Sequence, residues 1–344
     1  MLARAPLPRF ITMGLVLVGT LAACTSDDVT APPGAAEGAM TVDASSGWVY
    51  VSLADSAVVV PSPSPSASAD WDIAFNVLGV MLNGGEAGPG GVTGACLCQN
   101  ASATSAQILA MTPTSEEADF ESVVSTPASA SFMSETFVPA FTGWYAGSGA
   151  AATADPSVVH LLRLDDGTSF AKIHVTALQN PTSSSPGTVV LEYAVQATET
   201  AALGAVQTLA VDVSAGSQQV DLNAGTAGAS VAGWDLEIDG FAIRLNSGAS
   251  GSGAAAAADS PDAFADVATA ATHASAYQSD TYAGVFNAHR WYRYDLAGDR
   301  RVSPTFDVYL VKRGSVTYAL QILDYYGPTG QPRQISFRYR RIGG

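Results

Sequence analysis

Hydrophobic and polar positions alternate along Trp71-Asp72-Ile73-Ala74-Phe75-Asn76, a stretch that runs on to Val80, Leu82, Asn83 and Gly85. A period of two sets Trp71, Ile73 and Phe75 on one side of a strand and Asp72, Ala74 and Asn76 on the other, which predicts a sheet covered on one face and wet on its back. The pattern returns at Trp234-Asp235-Leu236-Glu237-Ile238-Asp239 and continues to Ile243, Leu245, Asn246 and Gly248, displaced throughout by 234 − 71 = 163. A helix would scatter Asp235, Glu237 and Asp239 around its circumference. The closing Asn-x-Gly predicts a strand stop, because both residue types tolerate left-handed backbone. Two tandem units are therefore expected, each with one tryptophan-led strand as its buried centre.

The same reading extends along the chain. Trp48–Val51 and Ala57–Val60 predict a hairpin, Pro61–Ala69 a connector, and Gly84–Gly91 a long loop with no Gly-Lys-Ser/Thr that would make it a phosphate cradle. Ser115–Val124 predicts a helical turn with Phe120 and Val123 inward. Val158–Leu164 and Phe170–Leu178 flank Asp165-Asp166-Gly167, a strong hairpin signal, and Thr188–Gln196 follows as a strand. In the second unit, Val211–Ser214 and Val220–Leu222 stand in for the opening hairpin. Ser247–Gly253 repeats the glycine loop, and Ala254–Ala258 could be helical. Trp291-Tyr292 matches Trp144-Tyr145 at 291 − 144 = 147, and Gly314 matches Gly167 at the same offset, which predicts late hairpins of equal length. Phe306–Lys312, Tyr318–Leu323 and the alternation of Ile335, Phe337 and Tyr339 with Ser336, Arg338 and Arg340 complete the pattern. The expected fold class is mainly β, as two antiparallel β-sheet domains spanning 46–200 and 201–344.

The N-terminus adds a destination. Arg4 and Arg9 precede an apolar run, Ile11–Leu21, that is short for a membrane span and ends in Leu21-Ala22-Ala23-Cys24, the pattern of a bacterial lipobox. The expectation is a lipoprotein signal peptide over 1–23, cleavage before Cys24, a lipid on that cysteine, and a flexible Pro/Gly/Ala-rich tether over 24–45. Thr25 after the cysteine suggests passage to the outer membrane, with the protein held at the cell surface.

Charge is uneven. The chain of 344 residues carries a net −16. Residues 290–344 hold ten Lys/Arg against four acids, or 10 − 4 = +6, which leaves −16 − 6 = −22 elsewhere. An acidic body argues against nucleic acid. The basic end could receive an anionic ligand, pack on the acidic part, or place arginines on the wet face of the last strands. Cys96 and Cys98 are compatible with a loop disulfide, with free thiols, or with a share in a metal site for which no further cysteine and no neighbouring histidine is at hand in the sequence. No G-x-S-x-G, H-E-x-x-H or paired-carboxylate pattern sits in a catalytic context, so an enzyme is not expected.

Several of these features together resemble the HmuY family of bacterial surface lipoproteins: the W-D-[IL]-x-F strand ending in L-N-x-G, the glycine-rich loop, the V-Y-L-V-x-R-G-S hairpin, and Y-Y-G-P-T-G before F-R-Y-R. The likeness covers most of 46–344 as two copies and is strongest in Trp291–Ile342. It implies capture of haem or a similar flat apolar ligand for uptake through a TonB-dependent receptor. The alternative is a non-catalytic structural or interaction lipoprotein of the outer envelope that binds no haem. Haem iron needs His, Met, Cys or Tyr aimed from an apolar slot. Under the resemblance, the candidate axial ligands are His273 and His289, in irregular segments, and Met133. Arg290 and Arg293 are candidate partners of the propionates. His160 and His174 lie within strands and read as packed or wet-face histidines.

Overall fold

The computed structural model describes residues 37–343. The expected signal peptide, Cys24 and the first part of the expected tether lie outside the described residues. The chain runs β1 (Glu37–Asp43), β2 (Val49–Ser52), β3 (Ala57–Val59), β4 (Ile73–Asn76), β5 (Gly79–Leu82), β6 (Val92–Cys96), α1 (Ser105–Ala110) and α2 (Glu117–Ser122). It continues with β7 (Thr136–Val138), β8 (Tyr145–Ala146), β9 (Thr153–Ala154), β10 (Val159–Arg163), β11 (Phe170–Gln179) and β12 (Thr188–Gln196). The second half holds β13 (Gln207–Asp212), β14 (Gln218–Asp221), β15 (Thr226–Gly228), β16 (Leu236–Asp239), β17 (Ala242–Leu245) and β18 (Ala256–Ser260). It ends with β19 (Thr281–Ala283), α3 (Val285–Ala288), β20 (Tyr292–Tyr294), β21 (Val302–Pro304), β22 (Val308–Arg313), β23 (Val316–Tyr326) and β24 (Pro332–Ile342). All strand pairs in the named sheets are antiparallel, so the mainly β class holds.

Two architectures repeat. The sheet β3-β2-β4-β5 has the same order as β15-β14-β16-β17, and β1-β24-β23-β22-β6 has the same order as β13-β12-β11-β10-β18. Each lobe is one four-stranded and one five-stranded sheet over a shared core. The first core joins Val42, Val51, Ile73 and Leu82 to Tyr309, Leu320 and Phe337. The second joins Leu162, Ile173 and Leu191 to Val220, Leu236 and Ile243. The expected domains 46–200 and 201–344 therefore do not match the cores. The first lobe takes its early strands from one copy and its late strands from the other, and the second lobe takes the remaining halves. β12 and β13, on either side of residue 200, are neighbours in a single sheet, paired from Thr188↔Asp212 to Tyr193↔Gln207.

The chain makes this exchange at β7 and β19, which pair with each other through Thr136↔Ala283, Phe137↔Tyr282 and Val138↔Thr281. Before the crossing, Glu135 accepts a hydrogen bond from the Leu82 amide in the first lobe at 3.0 Å. After it, Phe141 bridges to Ile243 in the second. The other copy does the reverse: Asp280 accepts from the Leu245 amide at 2.7 Å, and Val285 and Phe286 then enter the first core.

Several local expectations change. Residues 37–43 are not tether but β1, paired with β24 from Glu37↔Arg340 to Asp43↔Gln334; Gly38 and Ala39 had masked the alternation of Met40 and Val42. Ala254–Ala258 is not helical: Ala256–Ala258 belong to β18, whose small side chains are buried on the strand beside β10. Val92–Cys96, for which no element was expected, is β6. The counterpart of the opening hairpin is β14-β15, while β13 matches β1. The late hairpins differ in length, since His160↔Ile173 spans 173 − 160 = 13 residues and Tyr309↔Leu320 spans 320 − 309 = 11. A compensating difference upstream had hidden this behind a constant offset. The wet back face holds only in part in the second copy, where Asp239 is exposed and Glu237 half-buried but Asp235 is buried, and it fails for β4, where Asp72 and Ala74 are both buried. Trp71 packs with Ala74 and Met81 in a cluster separate from Ile73 and Phe75, and Trp234 is half-buried.

Candidate functional site

Each tryptophan-led strand anchors a polar brace. Asp72 accepts from the Leu53 amide at 2.8 Å, and its other oxygen meets Arg313 at 2.9 Å, an ion pair between the two copies. Asp235 accepts from the Leu222 amide at 2.8 Å and from the Asp165 amide at 2.7 Å, and burial pushes its carboxyl up to about 6. Asn83 and Asn246 hold the glycine loops in the same way. The side-chain amide of Asn83 donates to the Trp71 carbonyl and its oxygen accepts from Gly90; Asn246 does so with Trp234 and Gly253. These buried polar groups are satisfied within the chain, so the repeated W-D…L-N-x-G motif is structural.

Function is better sought where the copies differ. A cleft of about 610 Å³ opens beside β2, β4 and β5, with Trp48, Tyr50, Met81 and Tyr282 on its walls and the Gly248–Gly253 loop of the other copy across from them. Tyr50 sits edge-on to Trp71 at 5.0 Å, and burial raises its hydroxyl to about 12. Burial also raises that of Tyr282. The strand pairings set Gln219 opposite Glu237 as Tyr50 is opposite Ala74, so Gln219 replaces Tyr50 in the second lobe. Arg244 replaces Met81 at 244 − 81 = 163, and its guanidinium lies 4.2 Å over Phe137, the counterpart of Tyr282. One lobe thus presents an aromatic, sulfur-bearing wall where the other presents a cation stacked on a ring.

A second cleft, of about 570 Å³, gathers four of the residues singled out by the sequence: Cys98, His289, Arg290 and Arg293. His289 caps α3 and is exposed. The Arg293 guanidinium donates to the carbonyls of Ala103 at 2.9 Å and Ala101 at 3.3 Å, so it is tied to backbone. Tyr292, Tyr294 and Asp307 complete the walls. His273 is not brought to this place. It is exposed in the second lobe, hydrogen-bonded through Nδ1 to Ser275, next to Tyr277 of that lobe's outer cluster. Met133 is partly exposed at a bridge to Gly94 and lines neither cleft. His160 and His174 are buried strand residues: His160 bonds the Thr142 carbonyl and approaches Asp259, and His174 pairs with Glu192 at 2.9 Å. Sequence reasoning missed Trp48, Tyr50, Met81 and Tyr282. For Tyr50 and Met81 the only signal was apolar character at positions whose counterparts are Gln219 and Arg244.

Comparison with known proteins returns one family and two solved structures of interest. The model of the HmuY protein family matches residues 44–193. The match lies in the first copy, whereas the likeness had been expected to be strongest in Trp291–Ile342. No curated protein matches. The crystal structure of the apo HmuY analogue of Tannerella forsythia is similar at 10% identity and a TM-score of 0.33, covering 92% of this chain and 100% of that one. A Bacteroides fragilis structure described as that of a candidate lipoprotein is similar at 11% identity and a TM-score of 0.32, covering 90% of this chain and 92% of that one. No helix among the described residues is long and apolar enough to cross a membrane, which says nothing of β-barrels. Over residues 44–193 the chain is thus similar to the HmuY protein family.

Proposed function

We propose that the protein is a non-catalytic, HmuY-type binding protein of the cell envelope, lipid-anchored through Cys24, that takes a flat apolar ligand of the haem class into the aromatic cleft. The observation that carries this reading is the wall of Trp48, Tyr50, Met81 and Tyr282, present in one of two otherwise matching halves. Its volume suits a small-molecule site, and aromatic faces stack on a planar ring system. The Met81 sulfur and the tyrosine hydroxyls are the groups of this cleft able to reach an iron. The walls carry no histidine, so stacking rather than a pair of imidazoles would carry affinity.

A second reading has its own support: His289 and Arg290 share a cleft, where an imidazole could ligate iron and a guanidinium could pair with a propionate. Haemin titration of the chain, read by absorbance, tests both. A Soret shift lost in Met81→Ala places haem in the aromatic cleft, and one lost in His289→Ala places it in the other. Iron-free protoporphyrin that quenches tryptophan fluorescence without a haemin spectrum points to stacking alone. No response to either porphyrin removes the binding reading and leaves an interaction protein of the envelope.

A further inference from the structure

The fold brings together three soft ligands that the sequence holds far apart. The sulfurs of Cys96 and Cys98 and a ring nitrogen of His289 all lie within 4.8 Å of one another. We propose that these residues form a redox-gated site for one borderline or soft d-block cation, Zn²⁺ being the reference case.

A single residue aligns the parts. Cys96 closes β6 opposite Tyr309 of β22. The Tyr309 hydroxyl donates to the His289 carbonyl at 2.8 Å, and its ring stacks on Phe286 at 4.4 Å, which seats α3 and its C-terminal histidine. Cysteine and histidine come from different copies, so the exchange of halves builds the cluster. His289 is exposed and both cysteines are half-buried; His289 and Cys98 line a cleft that also presents Asp307, so an ion has an entry path. The arrangement is not a by-product of the repeated fold. At the matching place in the second lobe, Asp259 stands opposite His160 where Cys96 stands opposite Tyr309.

The cysteines form a disulfide in this structure. That state cannot ligate, because thiolate is the ligand form. Only one residue separates them, and Cys98 takes a left-handed backbone, φ 51°, that a non-glycine residue adopts at a cost. A bridge closing so small a ring belongs to the labile class. A dithiol donor reduces it: the S–S bond breaks, two electrons and two protons pass to the sulfurs, and the donor closes its own disulfide. The cation then displaces both thiol protons to solvent and forms two metal–sulfur bonds and one metal–nitrogen bond. The fourth position is left to water, as in open zinc sites.

The test uses the full chain carrying Cys24→Ser, so that only this pair of thiols is present, with Co²⁺ as the probe. After reduction with a phosphine, one Co²⁺ per chain should bind with thiolate-to-cobalt charge-transfer absorption, be displaced by Zn²⁺, and bind at least tenfold more weakly in His289→Gln. The oxidised chain should show no such absorption. The proposal is overturned if reduced protein gives no charge-transfer band, or if reduced His289→Gln binds as tightly as its parent. It is also overturned if the double variant Cys96→Ser, Cys98→Ser, shown folded by circular dichroism, binds Co²⁺ equally well.

Discussion

Glu135 is the residue whose chemistry is most at odds with its surroundings. It is buried at the crossing, one carboxyl oxygen accepts from the Leu82 amide, and the other has no protein partner. Burial raises its carboxyl to about 7 from the 4.5 of an exposed glutamate. The folded chain therefore holds this proton more tightly than the unfolded chain does. The stabilising contribution is complete below pH 4.5 and disappears as pH rises through 7, a change on the order of 3 kcal/mol. Glu135→Gln keeps the acceptor for Leu82 and removes the titration. Urea midpoints at pH 5 and pH 8 should differ less in the variant than in the parent, with the variant the more stable of the two at pH 8. An unchanged pH slope would show that Glu135 is not the group responsible. Little of this was legible beforehand, because Glu135 follows Ser134 in an irregular stretch and nothing local marks it as buried.

Elements were legible where side chains alternate strongly and illegible where small residues carry the strand. Phe170–Leu178 and Ile335–Tyr339 announce themselves by large apolar positions. Val92–Cys96 and Ala256–Ser260 do not, because Gly94 and a run of alanines leave no period to read. Yet these two strands close the five-stranded sheets. Gly94 shows why small residues are needed there: a β-carbon added to it would come within 2.5 Å of Val285 and 2.7 Å of Leu82. Gly94→Ala should therefore force β6 away from α3, at a cost of about 1–3 kcal/mol typical of overpacking. The loss should appear as a lower urea midpoint with an unchanged slope; an unaffected midpoint would mean that the contact yields freely. The aromatic cleft was illegible for a related reason. Tyr50 and Met81 read as ordinary strand residues until the strand pairings set them against Gln219 and Arg244.

At the scale of the whole molecule, both the repeat and its pairing matter. Sequence periodicity locates two copies but cannot say which half pairs with which, because the strands of either copy carry the same pattern and could complete either sheet. The pairing Thr41↔Ser336, whose hydroxyls are 2.8 Å apart, gives a direct test. In a chain carrying Thr41→Cys and Ser336→Cys, with a protease site placed in the connection after Glu199, cutting should leave two fragments joined by the new disulfide on a non-reducing gel. Copies that each closed on their own strands would instead release two separate bands, since Thr41 would then lie beside its own copy's late strand. Urea unfolding of the uncut parent should likewise be one transition, as each copy contributes to both cores.

The order of manufacture follows from the same arrangement. β6 leaves the ribosome 308 − 96 = 212 residues before its neighbour β22 begins. At roughly 5–20 residues per second, the opening strands wait on the order of 10–40 seconds for the segment that will cover them. The lobe that finishes first is the one in the middle of the chain. Until the final hairpin emerges, the earliest strands offer unsatisfied edges to any holdase, or to another newly made chain.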